Sequence, residues 1–324
     1  MRRSGLCLMV ALVLAGVAEL ARADTYPARP IIMIAPFAAG APVDTVGRIV
    51  ADRMTRSLGQ QIVIENVAGA GGSLGVARAA RAAADGYTIS LGNISSHVLA
   101  ESFYPVQFDV LHDFSPVALL ASNPQVIVAR NGFADELRSA IAWLKANPDK
   151  ASAGIAGIGS VSHVGGLFFQ KETGTRFQFV PYRGVNLAQR DLMGGQIDLL
   201  FDQAVNALAH VRAGKIKALA VTSKTRLESA QDIPSVDEAG LPGFYMSVWN
   251  ALWAPKGTPK ELIVKLNAAA MDALADQSVR NRMHDLGLEI PSPEEQTPEA
   301  LGAFHKAEID KWQPIIKAVN IKLE

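Results

Sequence analysis

Pro30-Ile31-Ile32-Met33-Ile34-Ala35-Pro36 is an unbroken apolar run of strand length, bounded by proline at both ends. A glycine- and proline-bearing loop follows it. Residues 44–58 then place Val46, Ile49, Val50 and Met54 on one helical face, with Gly59 as a stop. Residues 61–67 read as a second strand, 68–75 as a loop, and an alanine-rich helix is predicted to run on to Asp85-Gly86. Residues 87–91 supply a third strand. Strand, helix and strand in this rhythm predict the α/β class, a parallel sheet with helices on its faces.

The rhythm restarts after Phe114-Ser115-Pro116. Residues 117–121 and 126–129 read as separate strands, 134–146 as a helix closed by Asn147-Pro148, and 151–156 as a weak strand. A glycine loop leads into a helix over 161–173 that turns Val164, Leu167 and Phe168 inward. Further strands are expected at 177–180, 197–201 and 216–221, the helices between them stopping at Gly194-Gly195 and Gly214. Thr258-Pro259-Lys260-Glu261 predicts a capping box with proline in the first helical position. Thr297-Pro298 opens a last helix bearing Phe304 and Trp312. There is no tandem repeat. The pattern fits two α/β lobes, with the C-terminal helices returning to the first.

The 324 residues are 49% hydrophobic and 19% charged, which excludes disorder, and a single core saturates near ~250–300 residues, so two domains are expected. Basic and acidic residues balance at 31 each, and aromatics are only 6%. Both figures argue against a nucleic-acid partner. The start of the chain, residues 1–23, reads as a secretory signal peptide: Met1-Arg2-Arg3, an apolar run over 6–20, then Ala21-Arg22-Ala23 as the cleavage pattern. The run is too short for a membrane span of ~20 residues, and Cys7 stands at its start, where a lipid-anchored cysteine would follow its end. Removing Arg2, Arg3, Arg22 and Glu19 leaves 28 basic and 30 acidic residues and no cysteine. An exported protein without a disulfide framework is expected.

Gly71-Gly72-Ser73-Leu74-Gly75 matches the G-x-S-x-G nucleophile elbow, but the elbow needs its serine at the end of a strand, and Ala68 to Gly72 intervene. A glycine loop entering a helix is the plainer reading. Gly157-Ile158-Gly159-Ser160-Val161-Ser162 lacks the third glycine of a dinucleotide fingerprint, so no cofactor is expected. His97, His112, His163, His210, His284 and His305 are scattered without ligand spacing, so no metal is expected either. Ser160 and His163 fit a helix cap and a first-turn residue better than a catalytic pair. What recurs is a glycine-rich turn feeding a helix start, once at 36–44 and again at 157–162. Helix starts carry unpaired N–H groups and about half a positive charge, and they bind carboxylate or phosphate without lysine or arginine. Two of them point to an anion held between the lobes.

An ordered series of segments then carries a resemblance. Tyr26-Pro27-Ala28-Arg29-Pro30 is followed by Pro36-Phe37-Ala38-Ala39-Gly40 with Asp44, by Glu65-Asn66 with Gly69-Ala70-Gly71-Gly72, by Asp85-Gly86-Tyr87-Thr88, and by Asp113-Phe114-Ser115-Pro116-Val117. Later come Gly157 to His163, Val180-Pro181-Tyr182-Arg183-Gly184, Asp191-Leu192-Met193-Gly194-Gly195-Gln196 with Phe201-Asp202, His210 to Lys215, Ala218 to Ser223, Glu238 to Phe244, and Ala254 to Pro259. Over residues 25–320 the chain resembles the tripartite tricarboxylate transporter receptors, the Bug family of periplasmic solute-binding proteins.

The resemblance implies a two-lobed, type II-like periplasmic binding protein fold with the ligand cleft between lobes. Residues 24–124 with 247–324 would form lobe 1, and 125–246 lobe 2. It implies no catalysis, a periplasmic monomer, and a small organic carboxylate gripped through backbone amides and ordered water for delivery to a membrane permease. The matching positions are Phe37, Gly40, Ala41, Val43 and Asp44 in the first lobe and Gly157, Ser160, His163, Tyr182, Arg183, Gly184 and Asp202 in the second; Ser95 and Ser96 form a further loop. The family's first loop carries a second glycine and a hydroxyl where this chain has Ala41 and Val43, and often a serine at Val185. Arg183 is the one cation of the set, and no lysine occurs before Lys145. A mono- or dicarboxylate with an apolar or aromatic body is therefore expected ahead of citrate. The alternatives are a secreted serine hydrolase built on Ser73 and a binding protein used for sensing.

Overall fold

The computed structural model of the chain describes residues 26–319, so the reading of 1–23 falls outside it. The opening apolar run is strand β1 (Ile31–Ala35). It pairs in parallel with β2 (Ile62–Asn66) and with β3 (Thr88–Asn93), Ile31 opposite Ile62 and Ile32 opposite Thr88. Its side chains are buried on both faces, which is why it is apolar throughout instead of alternating. Between β1 and β2 lies helix α1 (Pro42–Leu58), which starts two residues ahead of the sequence reading because Pro42 takes the first turn, where no N–H is needed. Gly59, at φ 68°, closes it as expected. Helix α2 (Ser73–Ala80) is shorter than the alanine-rich run suggested. The chain leaves it in a tight bond from Ala82 N–H to Ala79 O and turns at Gly86, with Tyr87 N–H bonded to the Asp85 carboxylate.

The largest departure is β4 (Phe114–Ala129), a single 16-residue strand where two were expected. From Phe114 to Pro124 it pairs antiparallel with β9 (Ser247–Pro255). From Gln125 to Ala129 it pairs instead with β7 (Leu199–Gln203) and β8 (Lys217–Val221). Pro124 cannot donate to a ladder, and it is tolerated because it stands where the strand changes partners. The whole sheet has nine strands in the order β2-β1-β3-β9-β4-β7-β5-β6, with β8 also on β4; β5 is Ser152–Ile155 and β6 Gln178–Pro181. The two parallel halves are thus joined through β9 and β4.

After β3 come a π-turn (Ser95–Leu99) and the short helix α3 (Ala100–Phe103). The second half carries α4 (Leu137–Ala146), α5 (Val161–Thr173), α6 (Val185–Met193) and α7 (Ala204–Arg212). The C-terminal helices are α8 (Lys260–Ala275), α9 (Gln277–Asp285) and α10 (Pro298–Val319). The expected capping box is absent: Pro259 is the N-cap of α8, and Thr258 donates its hydroxyl to Pro255 O at 2.7 Å. Helices α8 and α9 pack on α1, as expected of a return to the first half. Helix α10 does more, because it packs on β4 and also presents Trp312 edge-on to Phe168 of α5, with ring centres 5.6 Å apart. One apolar core lies around α1, α8 and β1, one around α6, α7 and β8, and a third runs between them through Phe168, Phe244, Trp249, Trp253 and Trp312.

Candidate ligand-binding site

A cavity of about 870 Å³ lies at the carboxyl ends of the parallel strands. Residues 37–43, after β1, and Asn93, Ser95, Leu99, Ala100, Phe103 and Tyr104, after β3, form one wall. Residues 156–162, 183–186 and Asp202, Gln203 and Asn206 form the other. Gln125, Phe201 and Val248 make the floor. Ligands of open α/β sheets sit at this end of the strands.

Three helix starts face it. Helix α1 begins after Ala41, whose side chain makes no cap, and the N–H groups of Val43 and Asp44 have no partner among the described residues. Helix α5 begins after Ser160, whose Oγ accepts the His163 N–H at 3.3 Å and shares a hydrogen bond with Ser162 Oγ at 3.0 Å; the N–H groups of Val161 and Ser162 have no partner among the described residues. Helix α6 begins after Gly184 without a side-chain cap. The first two were legible as glycine turns. The third was not read as a helix start from sequence, although Gly184 before a helical stretch was the available signal. Together they converge partial positive charge on one space.

Ten of the fourteen expected site residues line this cavity: Phe37, Gly40, Ala41, Val43, Ser95, Gly157, Ser160, Arg183, Gly184 and Asp202. Arg183 is exposed and makes no ion pair among the described residues. The other four are engaged elsewhere. Asp44 is buried and accepts the Gly40 N–H at 2.8 Å, Asn66 Nδ2 at 2.9 Å and both Nε and Nη2 of Arg48. Burial pushes its carboxyl up, but those donors outweigh burial and hold it below the usual range. Its role is to shape the loop that ends in the free N–H groups. Ser96 is fully buried and bonds back to Asn93 and towards His97. Tyr182 gives its hydroxyl to Asp191 at 2.7 Å. His163 accepts the Gly159 N–H on Nδ1 at 3.1 Å and stands edge-on to Phe179; burial pushes it down to about 4, so it is neutral near pH 7 with its proton on Nε2.

Asp202 is 2% exposed and has no cation beside it among the described residues. Its oxygens accept Gln189 Nε2 at 2.6 Å, the Gln203 N–H at 2.8 Å and Asn206 Nδ2 at 3.2 Å, yet burial dominates and pushes it up to about 6. The two walls come close where Gly159 meets Phe103. A Cβ on Gly159, which sits at φ +78°, would stand 2.9 Å from the Phe103 ring. Ser73 lies in the first turn of α2 and is bonded to no histidine or carboxylate among the described residues, so the hydrolase constellation is not assembled around it.

The family profile described as tripartite tricarboxylate transporter family receptor matches residues 46–321. The chain belongs to this family. Among curated relatives of these receptors, BugT of Bordetella pertussis is 36% identical over 313 residues, covering 96% of this chain and 95% of its own. Among solved structures, MatC of Rhodopseudomonas palustris with bound malate is 38% identical with a TM-score of 0.79, covering 90% of this chain and 100% of its own. R. palustris Rpa4515 with adipate is 28% identical with a TM-score of 0.82, covering 92% and 99%. Family members are periplasmic solute-binding proteins, and the fold described above is theirs.

Proposed function

We propose that this receptor captures a small mono- or dicarboxylate in the periplasm, without catalysis, and hands it as a monomer to the membrane permease of a tripartite tricarboxylate transporter. The observation that carries the reading is the convergence on one cavity of three helix starts, those of α1 and α6 without a side-chain cap and that of α5 with only its His163 N–H capped, with Arg183 as the one cation of the lining. A tricarboxylate would leave much of its charge uncompensated there, whereas one or two carboxylates match the donors. The similarity to proteins bound to malate and adipate supports the same ligand class. Processing near Ala23 would release the receptor from its signal peptide.

A thermal-shift panel of citrate, short dicarboxylates, and aliphatic and aromatic monocarboxylates tests the ligand class. A ligand at 100 times its Kd stabilises by about 2.7 kcal/mol, well within reach of the method. At least one mono- or dicarboxylate is expected to stabilise the protein more than citrate does. Preference for citrate over all of them would refute the reading.

The same proposal assigns residues 24–124 with 247–324 to one lobe and 125–246 to the other. The hinge would then lie where β4 exchanges β9 for β7 and β8, around 122–125 and 247–252. Small-angle scattering is expected to give a smaller radius of gyration with a saturating acid than without. Equal radii would show a preset, rigid cleft.

A further inference from the structure

Gln125 sits in the floor of the cavity and is 1% exposed. Its backbone is fixed on both sides: its N–H donates to Met246 O and to Thr222 Oγ1, and its carbonyl accepts the Thr222 N–H at 2.8 Å. Its side-chain amide, by contrast, is unpaired. Oε1 is buried without a partner, and Nε2 enters none of the hydrogen bonds among the described residues. Space for the amide is provided by Gly165 of α5, where a Cβ would stand 2.8 Å from Oε1. Two residues back on β4, Asn123 gives its Nδ2 to Gln203 Oε1 at 3.0 Å and leaves its own Oδ1 buried and unpaired.

A buried amide oxygen without a partner costs free energy unless something completes it, and Nε2 beside it is left to a group in the cavity. A purely aliphatic ligand body over the floor would seal the deficit in. A polar ligand end that accepts from Nε2, as a carboxylate can, or that also donates to Oε1, as a hydroxyl or carboxamide can, would relieve it.

Resting on the carboxylate-receptor reading, we infer that Gln125 is a specificity-determining residue for the remote end of the ligand. While the helix starts hold one carboxylate, the Gln125 amide selects acids whose other end bears a hydroxyl, carboxamide or carboxyl group over acids ending in methyl. Sites that present buried polar groups reject analogues lacking the matching group far more strongly than apolar sites discriminate by size.

The test compares the protein with its Gln125→Leu variant by calorimetric titration of two matched series. One is butanoate, 4-hydroxybutanoate and succinate; the other is hexanoate, 6-hydroxyhexanoate and adipate. The unaltered protein is expected to bind a polar-ended acid at least about tenfold more tightly than the methyl-ended acid of that series, and Gln125→Leu to erase or invert that ratio. The melting temperature of the ligand-free variant should be unchanged or higher, since the substitution removes an unpaired buried amide; a purely structural role would lower it. If Gln125→Leu does not fold, Gln125→Met takes its place. An unchanged ratio in the variant, or preference of the unaltered protein for the methyl-ended acids, overturns the inference while leaving the receptor reading intact. Failure of the unaltered protein to bind any of the six acids overturns the inference, and overturns the receptor reading as well only if no mono- or dicarboxylate of the thermal-shift panel stabilises the protein.

Discussion

Replacing Ala41 by aspartate is expected to make the ligand-free protein more stable and to abolish its binding of acids. Ala41 is the N-cap of α1, at φ −66° and ψ 155°, and its methyl group leaves the first-turn N–H groups unsatisfied. Aspartate is among the best N-cap residues, and a gain of about 1 kcal/mol over alanine is expected, which raises the melting temperature by about 2–4 °C. The new carboxylate would occupy the donors that the ligand needs and stand against the ligand's own charge. Two like charges about 4 Å apart repel by about 4 kcal/mol at an effective dielectric constant near 20, or roughly 1,000-fold in Kd. Stability and binding therefore move in opposite directions, which misfolding cannot imitate. Thermal unfolding and titration with the best acid of the panel check it. Retained affinity in Ala41→Asp would mean that α1 does not hold the anion.

Acid binding is expected to take up a proton. Asp202 stands near 6 in the free protein because burial disfavours its charge. An anion placed in the same cavity pushes it higher still, since like charges disfavour ionisation. Affinity should therefore be greatest below pH 6 and fall as pH rises through 6, by up to about tenfold per unit until the bound-state value is passed. The folding equilibrium has the same sign. A carboxyl raised above its unfolded value of ~3.9 contributes stability that is present at low pH and lost between about pH 4 and 6, here roughly 3 kcal/mol. Titration near pH 6.5 in buffers of different ionisation enthalpy measures the proton count, after subtraction of the ligand's own. Uptake should vanish in Asp202→Asn, where the Gln189 amide can rotate to face the new amide. Proton release, or uptake that persists in the variant, would place the titrating group elsewhere.

The fold was legible where a residue's local preference and its tertiary role agree. The run at Ile31–Ala35 is apolar because both of its faces are covered, and Gly59 ends α1 because the chain there needs positive φ. Legibility failed where tertiary context overrides a local signal. Residues 117–121 and 126–129 read as separate strands, yet Pro124 between them lies within β4 because the exchange of partners there removes the need for its N–H. Thr258 reads as a cap, yet its hydroxyl serves the preceding turn. Within the site, the glycine turns revealed two helix starts, because such turns are local. Gln125 left no signal at all, since an unpaired amide is visible only once its surroundings are known. Asp44, His163 and Tyr182, expected as contacts, are bonded to the backbone or to other side chains of the protein itself, partners that no local pattern announces. Sequence marked loops that line the cavity but could not tell which atoms of each loop face it.

The central claim is that backbone N–H groups at the starts of α1 and α5 hold the ligand's carboxylate. Amide NMR of the nitrogen-15-labelled protein during titration with the best acid of the panel tests it most directly. The account predicts that Val43, Asp44, Val161 and Ser162 show the largest downfield proton shifts, as groups that gain a charged acceptor do. Saturation of the protein with those four resonances unmoved, or with shifts confined to the Arg183 side chain, would contradict it.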